Sequence, residues 1–497
     1  MLKIKKVHFN DSTYELLKDN CSKSNCFTIL VGKNGCGKSR LLRLISNSFA
    51  VSDQLLREQP HRWDELTTIP VSSGREYFTY TINGNEIKVN SINENLSSSF
   101  ESKNISDNYK DSLPKQLICL STSPFDRFPR QNKYPLNRND LTVYPSIYTY
   151  IGLKDGGKIS SVNNLIKSVI QSLLDDPNRI DCNFNIIKDT LSFLGYGNRF
   201  RFSVNNYLSK KDLLKIKNKQ GVDDLFLTKI KSISDELLHE MRYGNDWGYK
   251  RNIISDSILR LSSYLDGQWG KKITFTIKVD SDDNDYGYLV DISRLLNFGI
   301  LSIDSFKLSQ KDDNRRFIDF GEASSGEQCL TLMLLGIAGK IEDNSLICID
   351  EPEISLHPEW QCKFIPLLSS IYNRYQGCHF IIATHSPHIT SNLEDDNSYI
   401  LKMDENKLIT SNEYKYKSVD YQLAKIFESP GYNNEYLNRI CVKLLCSLSK
   451  NGKLNYQEKD EYILLNSLYD KLINNSTLID LIDVLNLALD ALEVDGQ

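Results

Sequence analysis

Residues 32–39 of this 497-residue chain read GKNGCGKS, and no other stretch restricts the fold as much. An apolar run, CFTILV at 26–31, comes directly before it, and a run with helical spacing, residues 40–49, directly after. Strand, glycine loop and helix in that order are the context of a phosphate-binding loop. Glycines let the backbone curl until its N–H groups point at phosphate oxygens, and the start of the helix adds partial positive charge. Asn34, Gly35, Cys36 and Gly37 would form that cradle. Lys38 would reach the β and γ phosphates, and the Ser39 hydroxyl would hold Mg²⁺. The fold class expected is therefore α/β.

A second constellation lies about three hundred residues downstream. Residues 322–328, EASSGEQ, lead into an apolar helical run at 329–340. Ser325 is placed to cap that helix and to leave the N–H groups of Gly326 and Glu327 free at its start. The apolar strand at 346–349 ends in Asp350-Glu351. Strand-end carboxylates beside a phosphate loop divide the work: Asp350 holds the metal through water, and Glu351 orients and deprotonates the attacking water. The next strand, residues 380–384, ends at His385, on the side of a parallel sheet where ligands bind.

Composition excludes several classes. A net charge of -4 gives no global attraction to nucleic acid or anionic membrane, and 40% hydrophobic with 25% charged residues is ordinary for a globular protein. The eleven cysteines are scattered without a CxxC pair, which fits reduced thiols better than a disulfide framework or a zinc site. Without an apolar stretch of about eighteen residues or a signal-peptide core, the expectation is a soluble cytoplasmic protein with no membrane contact.

Along the chain, residues 77–89 read as a hairpin turning at Asn83-Gly84, and residues 90–112 as a loop. A strand at 115–120 exits into Ser121, Thr122 and Ser123. Residues 150–300 look like an insertion, with helices at 161–174, 184–194, 225–242 and 252–265, and strands at 273–279 and 287–292. Its most basic run holds Arg199, Arg201, Lys210, Lys211, Lys215, Lys217 and Lys219; a solvated face is favoured over a nucleic-acid contact. The tail reads as helices at 419–428, 435–448, 459–474 and 478–492, serving either as a docking surface or as a packed cap.

Taken together, the motif order resembles the ABC-class ATPases, closer to their SMC/RecF/OLD branch than to transporter subunits. GKNGCGKS matches Walker A, SSGEQ the signature, LICIDEPE Walker B, ISLHP the D-loop and ATHSP the switch-histidine strand. The resemblance covers about residues 1–50 and 315–390. It implies an ABC-type P-loop ATPase head with a helical insertion and a helical C-terminal region, using ATP and Mg²⁺. It also implies a homodimer or higher homo-oligomer in which Ser325 and Gly326 of one head close on the Walker A loop of the other. Glu351 is then the catalytic base and His385 the γ-phosphate sensor. Departures from the pattern are Glu327 where transporters have Gly, and Ser121–Ser123 where a Q-loop glutamine is expected.

Within the branch, the short insertion, SPFDRFP and the tail look most like PtuA, the ATPase of Septu and retron anti-phage defence systems. That likeness implies an HNH-nuclease partner resembling PtuB, and a retron reverse transcriptase with its msDNA as further partners. The division expected is 1–150 and 301–410 for the two parts of the head, 151–300 for a mainly helical insertion, and 411–497 for a partner-binding or capping region. A DNA-clamping repair ATPase and an OLD-like ATPase without its own nuclease domain remain as alternatives.

Overall fold

The computed structural model describes residues 1–18, 25–58, 76–91, 98–101, 111–123, 125–129, 146–153, 162–174, 177–229, 241, 247–279, 287–393, 397–414, 417–472 and 475–494. Pro124, the ends of the helices expected at 161–174 and 225–242, and much of the loop expected at 90–112 lie outside the described residues.

Two antiparallel sheets flank a central one. The first runs in the order β2-β1-β4-β5-β6, from β1 (Lys3–Phe9), β2 (Ser12–Glu15), β4 (Glu76–Ile82), β5 (Asn85–Ser91) and β6 (Ser98–Glu101). Asn83-Gly84 turns the β4–β5 hairpin, with both residues at positive φ as a tight turn requires. The central sheet has seven strands in the order β16-β15-β3-β14-β13-β7-β8. They are β3 (Cys26–Val31), β7 (Leu117–Ser121), β8 (Tyr148–Gly152), β13 (Leu346–Asp350), β14 (His379–Ala383), β15 (Ser398–Lys402) and β16 (Lys407–Thr410). All neighbours are parallel except β15 and β16. β3, β7, β13 and β14 are buried from end to end, because cores lie on both faces. On β3, Phe27, Ile29 and Val31 face one core while Leu30 faces the other, beside Leu41, Leu42 and Ile45 of the Lys38–Glu58 helix.

The third sheet, in the order β10-β9-β11-β12, corrects the reading of the insertion. Its strands are β9 (Tyr196–Asn206), β10 (Lys272–Lys278), β11 (Leu301–Gln310) and β12 (Phe317–Asp319). Arg199 and Arg201 belong to β9, where they alternate with buried Phe200, Phe202 and Val204; the lysines from Lys210 to Lys217 sit on a separate short helix. The strand expected at 287–292 is instead the Gly287–Asn297 helix, which buries Leu289, Ile292, Leu295 and Leu296 at helical spacing.

The tail forms helices Val419–Lys425, Glu435–Asn451, Tyr456–Leu468 and Ser476–Val494. They share a core of their own, including Ala424, Leu437, Leu444, Leu465, Leu478 and Leu485.

Candidate nucleotide site

Strand register assembles the site. Asp350 lies opposite Ser121 on one side and Ala383 on the other, and Ala383 lies opposite Leu30. The carboxyl ends of four parallel strands therefore reach one edge together, where open α/β sheets bind ligands. Residues 32–39, Ser121, Asp350, Glu351 and His385 meet there although they are spread over more than three hundred positions.

The loop has the shape its sequence demands. Gly37 has φ 107°, and a Cβ there would stand 2.8 Å from the Phe9 ring, so both backbone conformation and space require glycine. Asn34 and Gly35 are exposed at the loop's tip, and Cys36 is half-buried with its Sγ 3.7 Å from Lys38 Nζ. Lys38 is buried, and its ammonium donates to the carbonyls of Gly32 (2.9 Å) and Lys33 (3.2 Å). Ser39 lies in the first turn of the Lys38–Glu58 helix and donates its hydroxyl to Asp350 Oδ1 at 3.0 Å. That contact joins the two motifs within one chain.

Asp350 is a poor place for a lone negative charge. Burial pushes its carboxyl up to about 7, Glu351, Asp126 and Glu353 push in the same direction, and the Ser39 hydroxyl opposes them. The adjacent oxygens of Ser39 and Asp350 are hard donors of the kind Mg²⁺ takes alongside substrate phosphates. The residues fit such an ion, because a divalent cation would relieve the crowding of like charge. No group of three or more His, Cys, Asp or Glu suited to a metal occurs among the described residues, so phosphate and water oxygens would complete the shell.

Glu351 follows with φ 51° and ψ 54°, a left-handed conformation uncommon for a side chain other than Gly, Asn or Asp. Its N–H donates to Ala383 O (2.9 Å), and its carbonyl accepts from Thr122 Oγ1 (3.1 Å), so neighbouring strands hold the strained residue from both sides. Ser121 Oγ donates to Asp350 O at 3.2 Å. The serine–threonine run in the Q-loop's place thus braces the acidic pair.

Sequence reasoning missed Glu353. Its Oε1 accepts the N–H of His385 at 2.6 Å, fixing the end of β14 to the turn after Walker B. The signal available was the second glutamate of the DEPE run. Burial raises the Glu353 carboxyl, and it lowers the His385 imidazole together with the nearby Lys38 ammonium, against the opposing pull of Asp404. His385 is therefore a neutral donor–acceptor at physiological pH.

The signature segment packs elsewhere. Its helix is Ser325–Ala338, and its N-cap is Ser324, not Ser325. Ser324 and Glu327 form a capping box, so the Glu327 N–H is taken by Ser324 Oγ (3.3 Å) and is not free. Gln328 donates to the carbonyls of Phe320 and Ala323, both at 2.9 Å, and tightens the approach to the helix. Ser324, Ser325 and Glu327 stay exposed. Gly326 lies against the 3-10 turn Pro352–Ser355, where a Cβ would come within 2.8 Å of Ser355 O.

An AAA ATPase domain family model matches residues 3–390 of the chain. The chain is similar to the retron Ec83 probable ATPase of Escherichia coli, at 23% identity over 436 residues, covering 81% of this chain and 72% of the relative. It is also similar to the retron Vc95 probable ATPase of Vibrio cholerae serotype O1 biovar El Tor, at 23% over 479 residues, covering 90% and 83%. A solved Smc head domain of Pyrococcus furiosus, with an extended coiled coil and bound to the C-terminal domain of ScpA, aligns with 82% of this chain and 96% of its own. That alignment has 10% identity and a TM-score of 0.28, too low to bear on the fold. No described helix is long and apolar enough to cross a membrane. With the family model spanning most of its length, and the loop, acidic pair and strand-end histidine in one place, the chain belongs to the AAA ATPase domain family and is similar to the retron ATPases.

Proposed function

We propose that the chain is the ATP-driven regulatory subunit of an anti-phage defence complex, dimerising around ATP and controlling a partner nuclease of the HNH type, as in Septu and PtuA-type systems. The observation that carries this reading is the division of the site. Ser39 bonds Asp350, which closes the Walker half, while the exposed Ser325 and half-buried Gly326 start a helix of the anion-binding kind, with Gly326 against the D-loop turn. Such a helix start suits the nucleotide of a second head. Ile354 of the D-loop turn is 52% exposed, and Phe125, beyond Ser123, is 83% exposed, an apolar cost that a closing partner would remove.

In the assembled site Mg²⁺ would neutralise phosphate charge. Lys38 binds the β and γ phosphates through the ammonium that the loop carbonyls already orient. Ser39 and Asp350 would hold the ion. Glu351 takes a proton from the attacking water, and neutral His385 donates to the γ-phosphate. The four-part division stated from the sequence belongs to this proposal, with 411–497 as the partner-binding region. A reverse transcriptase with msDNA is the further partner in a retron setting.

The alternative of a DNA clamp would draw on a groove of about 590 Å³ on the outer face of the β10-β9-β11-β12 sheet, lined by Arg201, Lys272, Lys307 and Arg315. Ion pairs Lys272–Asp304 and Lys307–Asp319 already neutralise two of those cations, so the nuclease-control reading is preferred.

Co-expression with an adjacent HNH reading frame tests the reading. A tagged chain retains the nuclease, and adding ATP changes nuclease activity in the wild type but not in Lys38→Ala. A nuclease that neither binds the chain nor responds to ATP overturns it.

A further inference from the structure

An acidic side chain stands where an anion-binding loop should not want one. β15 runs parallel to β3 with Lys402 opposite Val31, so the turn that follows β15 lies beside the start of the Walker A loop. Met403 N–H donates to Val31 O at 2.9 Å, and the Asp404 carboxylate accepts the N–H of Lys33 at 2.7 Å. On the far side of the turn, Asn406 donates to Thr13 O at 2.9 Å. A Cβ on Gly32 would stand 3.1 Å from Asp404 Oδ2, so loop and carboxylate are in close contact.

A carboxylate beside bound triphosphate repels it, which means that a purely electrostatic role would work against the site. Its geometry has another consequence. The N–H of Lys33 and the carbonyl of Gly32 belong to one peptide plane, so holding the N–H sets the direction of the carbonyl. That carbonyl is the nearer acceptor of Lys38 Nζ, at 2.9 Å, with the Lys33 carbonyl the second at 3.2 Å. Asp404 thereby fixes the platform from which the Lys38 ammonium is aimed.

The same turn is anchored on its other side to the C-terminal helices. Lys402, only 7% exposed, donates to the carboxylate of Glu405, to Glu428 Oε1 (2.9 Å) and to Lys425 O (3.3 Å). Glu428 Oε2 in turn accepts from Lys471, in the 3-10 turn Tyr469–Lys471 that follows the Tyr456–Leu468 helix. Lys425 closes the helix whose Ala424 lies in the C-terminal core.

We propose that Asp404 is a positioning residue for the nucleotide, holding the Walker A loop from a turn that Lys402 ties to the C-terminal helices, so that a shift of those helices alters ATP affinity. This rests on the nucleotide-site reading above and adds a means of regulating it.

The test is equilibrium binding of ATP with Mg²⁺ to the full chain, with melting curves for each variant and Lys38→Ala as the control for the site itself. Asp404→Ala weakens binding about tenfold or more, the scale of one lost charge-assisted hydrogen bond. Asp404→Asn keeps the accepting oxygen and stays within about threefold of wild type, because position and not charge is what matters. Lys402→Met, at a side chain whose hydrogen bonds go to Glu405, Lys425 and Glu428, weakens binding several-fold, and Glu428→Gln reads the same link should the methionine variant not fold. If Asp404→Ala and Asp404→Asn both bind ATP more tightly than wild type, the carboxylate only repels phosphate and the proposal is wrong. Unchanged affinity in Asp404→Ala also overturns it, and unchanged affinity in folded Lys402→Met or Glu428→Gln overturns the link to the helices. If Lys38→Ala binds ATP normally, it is the nucleotide-site reading that fails.

Discussion

The central sheet and the C-terminal helices are built on opposite terms. In the sheet, parallel register alone brings Asp350, Ser121, Ala383 and Leu30 level, so the ends of the strands can carry chemistry at fixed separation. In the helices, Leu437, Leu444 and Leu465 bury one stripe each in a separate small core, while Tyr456 (83% exposed), Ile463 and Leu487 remain at the surface. The first region buries its strands from end to end and poises polar groups at their ends. The second caps its helices with Ser418, Asn434 and Asn455 and leaves apolar surface unspent. Under the proposed function, catalysis belongs to the sheet and recognition to the helices.

That contrast can be broken most severely at the loop. Lys38→Ala removes the ammonium that would meet the phosphates, and ATP affinity should fall about a hundredfold or more, on the scale of two or more charge-assisted bonds. Its melting temperature without nucleotide should stay close to wild type. Calorimetric titration and a melting curve read both quantities.

A smaller effect, confined to the other region, is expected from Leu444→Ala. The side chain is fully buried in the C-terminal core, and truncations of this kind cost about 2–5 kcal/mol. Hydrogen exchange should quicken in residues 435–494 while the β3, β13 and β14 amides keep their protection. Equal loss of protection in both regions would mean that the cores are not separate.

The smallest effect lies at the joint between them. Hydrogen bonding with the neighbouring Glu405 carboxyl, followed by the Lys402 ammonium, holds the Glu428 carboxyl down to about 2 from an ordinary 4.5. A depressed carboxylate contributes stability that is fully present above about 4.5 and is lost as pH falls towards 2. Glu428→Gln should therefore melt slightly below wild type at neutral pH, and the gap should close as pH is lowered through that window.

Much of this was legible from particular residues. GKNGCGKS between an apolar strand and a helix, and DE at the end of another strand, fix their own surroundings, and the structure brings them within a hydrogen bond of each other. The capping residue was not legible: Ser324 with Glu327 and Ser325 with Gln328 both have the three-residue spacing of a capping box, and the structure takes the first pair. β9 was hidden because Arg199 and Arg201 read as a charge run, although Phe200, Phe202 and Val204 alternate with them at the period of a strand. The segment after residue 287 is short and apolar, the case in which helix and strand look alike. Asp404 had no local signal at all. Only the pairing of β15 with β3 brings it to a loop about 370 positions away.

The central claim is that one chain holds only half of each nucleotide site. Replacing the proposed base in Glu351→Gln leaves binding groups intact and removes water activation. The molecular mass of that variant, measured in solution with and without ATP and Mg²⁺, is the most direct test. A monomer of 57.1 kDa that doubles or assembles further on adding ATP, and stays assembled, is the predicted result. A variant that binds ATP at wild-type affinity and remains a monomer would contradict it.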